Sequence, residues 1–235
     1  MAITNKEKGV WGLDQVYNKI NQGSIWEYTT NTYQLWGWGR DSAGQLGQNS
    51  VVNYGRSSPV QVGTESTWKA IGLGANDQYM TMATKTDGSL WRWGYNGFGK
   101  LGLNNKTNYS SPIQIPGTWK DLTGGGMYNM GGFINTDNEL YMMGHNEVGY
   151  LGQNNTIKYS SPVQIPGSWD QVGFAAYATM GIKTDGTAWV WGQTNEYGEL
   201  GLNAGVNYSS PVQLPGTDWD KPQGGMLQMF ALKKN

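Results

Sequence analysis

The 235 residues contain no cysteine, which excludes disulfides and thiolate metal sites and leaves the redox compartment open. Histidine occurs once, at His145, and charged residues make up only 14% of the chain. Sixteen Lys and Arg stand against seventeen Asp and Glu, for a net charge of −1, and no basic cluster exceeds Lys233-Lys234. A nucleic-acid footprint needs a basic stripe, so no nucleic-acid partner is expected. No apolar run approaches the roughly 18 residues of a membrane helix. Near the N-terminus, Lys6-Glu7-Lys8 leads into Gly9-Val10-Trp11-Gly12 and not into the apolar core of a secretory signal. A soluble protein that is not exported by the standard route is expected. The lone His145 falls where other repeats have Arg40, Tyr95 and Gln193, a variety that suits an exposed loop. No catalytic residue, metal site or cofactor is therefore expected. Gly124-Gly125-Gly126 is not a phosphate loop, since no Lys-Ser/Thr follows it.

What the chain has in quantity is glycine (36), tryptophan (12) and tyrosine (14), arranged in four copies of a unit of about 50 residues. Ser-Ser-Pro puts prolines at Pro59, Pro112, Pro162 and Pro211, spaced 53, 50 and 49 residues apart. A tryptophan follows each: Trp68, Trp119, Trp169 and Trp219. Thr86-Asp87-Gly88 and Thr184-Asp185-Gly186 are hairpin turns by their Asp-Gly pairs, and Thr136-Asp137-Asn138 is a weaker version. Alternating large side chains follow, at Trp36/Trp38, Trp91/Trp93, Tyr141/Met143 and Trp189/Trp191, with a spacing of two that puts them on one strand face. Leu35, Leu90, Leu140 and Ala188 make the other face apolar too. Strands buried on both faces, repeated at this period, predict an all-β propeller of about four permuted blades. The chain ends where a unit would continue into its Trp strand, and that strand stands at Gln34–Gly39, so ring closure by N- and C-terminal strands is expected. An open arc completed by a partner chain is the alternative.

The Trp-x-Trp-Gly strand, the Gly-x-Leu-Gly loop (Gly99-Lys100-Leu101-Gly102 and its copies) and the Asp-Gly turn together resemble the regulator of chromosome condensation repeats. The resemblance covers about residues 34–235 and implies a β-propeller with permuted blades. Known members commonly have seven repeats, and this chain has four. Their frequent histidine seven residues before the turn aspartate is replaced here by Met80, Met130, Ala178 and Gln228. The family's functions, nucleotide exchange on a small GTPase with chromatin binding and inhibition of a secreted hydrolase, do not transfer residue by residue.

Two domains are expected: a segment 1–33 and a propeller 34–235. Val10, Leu13, Val16, Tyr17 and Ile20 fall at helical spacing, giving a short helix that either caps the propeller or docks elsewhere. Candidate docking residues are Val10, Trp11, Leu13, Val16, Tyr17 and Trp26. The strings Gly9–Tyr17 and Gln22–Trp26 look like segments in structural proteins of tailed bacteriophages. Tyr54, Tyr109, Tyr159 and Tyr208, in Asn-rich stretches before Ser-Ser-Pro, suit sugar faces or protein hot spots, and equally a structural turn. The leading expectation is a non-enzymatic virion component, a display, receptor-binding or decoration module. It would be held to other virion proteins by its N-terminal arm and would face a host surface protein or glycan, as a single chain or a homo-oligomer. The alternative is a cytoplasmic interaction or inhibitor module that binds a partner through one propeller face.

Overall fold

The structure, a computed structural model, describes residues 33–73, 79–120, 129–193 and 197–234, and over these it is all-β, with no helix among the described residues. The docking candidates Val10, Trp11, Leu13, Val16, Tyr17 and Trp26, and the helix expected across residues 9–21, lie outside the described residues. The strands are β1 (Trp36–Asp41), β2 (Val52–Gln61), β3 (Trp68–Leu73), β4 (Met80–Lys85), β5 (Leu90–Gly94), β6 (Tyr109–Ile115), β7 (Met130–Ile134) and β8 (Leu140–Gly144). They continue as β9 (Tyr159–Ile165), β10 (Trp169–Phe174), β11 (Ala178–Lys183), β12 (Ala188–Gly192), β13 (Tyr208–Gln213), β14 (Trp219–Gly224) and β15 (Met229–Lys233). All pairings between them are antiparallel, and strand order within each sheet follows the chain: β3–β6, β7–β9 and β10–β13 form blades, flanked by the pairs β1-β2 and β14-β15.

The turn chemistry explains why the middle hairpins form. Gly88 and Gly186 both have φ of 81°, the left-handed value that the turn requires. Asp87 Oδ1 accepts from the Ser89 backbone at 2.9 Å and from Ser89 Oγ at 2.6 Å, and Ser89 Oγ in turn accepts from Trp91 Nε1 at 2.8 Å. Asp185, Thr187 and Trp189 repeat the relay. In the third unit Asn135 takes over, with its Oδ1 accepting from the backbones of Asp137 and Glu139. Beside each relay a lysine lies over two indoles. Lys85 Nζ is 3.9 Å from the Trp91 ring centre and 4.8 Å from that of Trp68. Lys183 holds the same place over Trp189 and Trp169.

The loops between β5 and β6 and between β8 and β9 are each fixed by a wholly buried asparagine. Asn96 Oδ1 accepts from the Leu101 backbone at 2.9 Å, and Asn146 Oδ1 from that of Leu151 at 2.8 Å. The amide group of Asn146 donates to the carbonyls of Asn155 and Ile157. Asp41, also fully buried, makes the acceptor half of this bond to the Leu46 backbone.

Neighbouring sheets supply one another's core. Four apolar clusters lie one at each junction: Leu35, Val62, Trp68, Ala83 and Trp93 behind β1-β2, and Met82, Leu90, Ile115, Phe133 and Met143 between the first two blades. The other two join β7–β9 to β10–β13, and β10–β13 to β14-β15. Hydrogen bonds cross the same junctions. Trp93 Nε1 donates to the Gln45 carbonyl and Trp191 Nε1 to the Tyr150 carbonyl, both at 2.9 Å. Backbones also approach closely where Gly44, Gly99 and Gly149 face the next blade: a Cβ there would lie 2.4–2.5 Å from the Cα of Ser110, Ser160 or Ser209.

The two ends differ from the sequence reading. They carry complementary strand pairs, as expected, but among the described residues β1-β2 and β14-β15 are separate two-stranded sheets, with no pairing between β1 and β15. For the same reason Trp36 and Trp38, expected in the core, are 46% and 63% exposed: no inner strand covers them.

Replacing Asn146 with Ala leaves the buried Leu151 N–H without its acceptor and removes the donor to the part-buried carbonyls of Asn155 and Ile157, so a loss of about 1–3 kcal/mol is expected in denaturant unfolding. Asp87 and Asp185 are held below their ordinary pKa of 3.8, first by the side-chain hydrogen bonds from Ser89 and Thr187 and then by the backbone bonds of the same residues. Their folded pKa values are depressed, so their contribution is present above the ordinary carboxylate range and fades as pH falls through and below it, under about pH 4. Thermal melts across that range should show a steeper acid loss for the native chain than for the D87N/D185N variant.

Candidate functional site

At the end of each middle hairpin away from its tight turn, two residues meet just beyond the strands. Tyr95 N donates to Tyr79 O at 2.5 Å, His145 N to Asn129 O at 2.9 Å, and Gln193 N to Tyr177 O at 2.7 Å. The glycines before them (Gly94, Gly144 and Gly192) have φ of 101–109° and lie so close to the adjoining strand that a Cβ would strike its backbone. That bend turns the following side chain across the end of the blade toward its neighbour.

The result is a ribbon of rings that crosses three blades. Tyr79 and Tyr95 have ring centres 6.4 Å apart, Tyr95 and Phe98 6.5 Å, and Phe98 and His145 5.0 Å. His145 stacks on Tyr150 at 5.8 Å, and Tyr150 lies 6.2 Å from Tyr177. Cations line it: Arg40 over Tyr79, Lys100 over Tyr95 and Lys158 over Phe98, at 4.8, 5.2 and 5.6 Å. Glu147 accepts from Lys158 Nζ at 2.7 Å and lies 3.2 Å from His145 Nε2. Those two bonds, the lysine's first, hold the Glu147 carboxyl below its ordinary 4.5. Beneath the ribbon lies Arg92, wholly buried, its guanidinium donating to the sulfurs of Met143 and Met80 and its Nε unpartnered. Burial pushes its pKa down to about 9.

His145 was expected in an exposed loop. Its side chain is only 16% exposed, because Phe98 of one blade and Tyr150 of its own enclose it. The four tyrosines singled out from the sequence do not come together in one site. Tyr109, Tyr159 and Tyr208 open the outer strands β6, β9 and β13, opposite Gly94, Gly144 and Gly192, and pack half-buried into their own blades. The hydroxyls of Tyr109 and Tyr159 accept from Asn105 and Asn155. Tyr54 lies in β2 and is fully exposed, because Arg56, not Tyr54, pairs with Gly39. Among the described residues no group of three or more His, Asp or Glu side chains could hold a metal ion.

The ribbon escaped sequence reasoning because its rings are scattered over several loop positions of the unit, and at none of them does every unit carry a ring. One signal was available: Tyr79 and Tyr177 stand just before β4 and β11, and rings recur after the glycine at Tyr95 and His145.

Comparison with known proteins fits this architecture. The family described as "Regulator of chromosome condensation (RCC1) repeat" matches residues 87–130. The Protein RCC2 homolog of Xenopus laevis is 34% identical over 83 residues, which are 35% of this chain and 16% of that protein. Protein RCC2 of Mus musculus is 34% identical over 87 residues, 37% of this chain and again 16% of the relative. The chain thus covers about one sixth of the length of these curated relatives. Human WBSCR16 superposes with a TM-score of 0.71 at 19% identity, covering 88% of this chain and 55% of that one. Prp20p of Saccharomyces cerevisiae superposes with a TM-score of 0.66 at 18% identity, covering 86% and 52%. The chain carries a repeat of the RCC1 kind, and its described residues have the fold of an RCC1-like β-propeller.

Proposed function

We propose that the chain is a protein-interaction module that binds its partner through the face bearing the aromatic ribbon. The observation that carries this reading is the ribbon itself: half-buried rings from three consecutive blades, bordered by Arg40 and Lys158. Tyrosine, phenylalanine and arginine are the residues that interfaces concentrate, and rings already held by neighbours lose little rotamer freedom on binding. Binding, not turnover, is what such a surface offers.

Relatives point the same way. The structure of Prp20p was described together with its binding to Gsp1p and histones, and Kap60 was crystallised bound to yeast RCC1 (Prp20). By analogy the partner here is a cellular protein, and the cations on the ribbon favour one with an acidic segment. The virion reading rests on the strings 9–17 and 22–26, which lie outside the described residues, and the relatives named above come from frog, mouse, human and yeast. Attachment through Val10, Trp11, Leu13, Val16, Tyr17 and Trp26 belongs to that second reading.

The test is affinity capture with the native chain and with a variant carrying Arg40→Glu, Phe98→Ala and Lys158→Glu. A partner captured by the native chain should bind the variant at least about tenfold more weakly, since a hot-spot loss costs about 2 kcal/mol or more. Equal binding by a variant with unchanged melting would remove the ribbon from the interface.

A further inference from the structure

The ends of the array expose apolar positions that complete blades bury. Trp38 is 63% exposed, whereas Trp93 and Trp191, at the same place in their blades, are 1% and 0% exposed. Phe230 and Leu232 are 66% and 58% exposed, whereas Met180 and Ile182 are each 2%. A cavity of about 230 Å³, lined by Leu35, Trp36, Gly37, Trp38, Ile71 and Trp93 among others, runs along β1. It lies where a complete blade has its inner strand.

We propose that β15 of one copy of this chain pairs with β1 of a second copy. Each composite blade would then consist of β14-β15 from one copy and β1-β2 from the other, and two copies would close into one ring.

The two edges fit one another position by position. In the complete blades β4 pairs with β5 as Met82↔Arg92 and Ala83↔Trp91, and β11 with β12 as Met180↔Val190 and Gly181↔Trp189. β14-β15 shares its register with β10-β11, Trp219↔Lys233 matching Trp169↔Lys183. Carried onto the ends, that register sets Phe230 against Gly37 and Ala231 against Trp36. A small residue meets an indole, as Ala83 meets Trp91 and Gly181 meets Trp189 in the blades already formed, and Phe230 meets a glycine where those blades pair Met82 with Arg92 and Met180 with Val190. The lysine clamp gives a second match. Lys85 and Lys183 each lie over two indoles, while Lys233 lies over Trp219 alone, at 5.2 Å. Trp36, at the position of Trp91 and Trp189, is the missing ring.

The junction to the preceding blade is also prepared. Trp93 and Trp191 donate to the carbonyls of Gln45 and Tyr150, the second residues of their Gly-x-Leu-Gly loops. The corresponding partner for Trp38 would be the Glu199 carbonyl of the other copy. Gly198 opens that loop with φ of 72°, and nothing lies within 4 Å of the place of its Cβ, where Gly44, Gly99 and Gly149 each face a serine. A composite blade would bring Ser57, the counterpart of Ser110, into that space.

Self-closure by one chain would use the same edges, but the bend of the array argues against it. Most of this chain, 86–88%, superposes on only 51–55% of the RCC1-like propellers, so its blades follow a ring more than half again as long as the chain. Three blades and two halves per copy give eight for a pair, at the upper end of the usual range of about 4–8. An edge-to-edge contact that closes also removes the two exposed sheet edges.

The test takes the full chain through multi-angle light scattering, with cysteine cross-linking as its second arm. The expected mass is twice 25.9 kDa, falling to 25.9 kDa for Phe230→Asp with unchanged circular dichroism. Because the chain has no cysteine, single variants Trp36→Cys and Ala231→Cys can be mixed and oxidised. A covalent pair should form in the mixture and in neither variant alone. A native mass of 25.9 kDa without that cross-link overturns the proposal, and so does a two-copy mass without it. An open-ended series of larger species that does cross-link would overturn the closed ring.

Discussion

No sheet among the described residues has a core of its own. Each presents apolar side chains on both faces, and water is excluded only when the next sheet closes over them, as Met82 and Leu90 of one blade close against Phe133 and Met143 of the next. Everything else serves that contact. The Asp-Gly relays and the buried asparagines stiffen the hairpins and loops that must meet, and the tryptophan N–H groups lock them once met. The indole N–H groups of Trp93 and Trp191 pair with neighbouring backbone across the junctions, as a low-dielectric interface demands, whereas those of Trp68 and Trp219 make no hydrogen bond. Arg92 is a buried cation held by methionine sulfurs and the ring of Phe133, and burial pushes its pKa down to about 9.

Much of this was legible before any coordinates. The hairpin turns follow from Asp87-Gly88 and Asp185-Gly186, and the strand faces from the spacing of Trp91 with Trp93 and Trp189 with Trp191. These features are local, with one residue type doing one job at a fixed place in every unit. Burial was less legible, because it depends on what lies opposite. Trp38 and Trp93 both stand in a Leu-Trp-x-Trp-Gly string and have opposite exposures. Nor could sequence say that Arg56 would take the place of a tyrosine in β2, since the extra residues before Pro59 are absorbed by irregularities in strand pairing.

The candidate site was illegible for a related reason. Repeats are found by what they share, whereas the ribbon consists of what they do not share: Arg40, Tyr95 and His145 fill one structural position with three chemistries. A position that varies between units looks like drift when units are compared, yet in the assembled face it is where one blade can be told from the next. The scaffold is written in the repeated residues, and recognition in those that vary.

The approach of Gly44, Gly99 and Gly149 to Ser110, Ser160 and Ser209 has a consequence for how such a chain can be built. Every unit carries both halves of the joint, a glycine socket on one side and a serine on the other. A unit copied in tandem would therefore arrive with its docking surfaces already made, needing no compensating change in its neighbours. Lengthening the array demands only duplication, whereas a side chain at one of these glycines would jam the joint and, with it, every arrangement that inherits the altered unit.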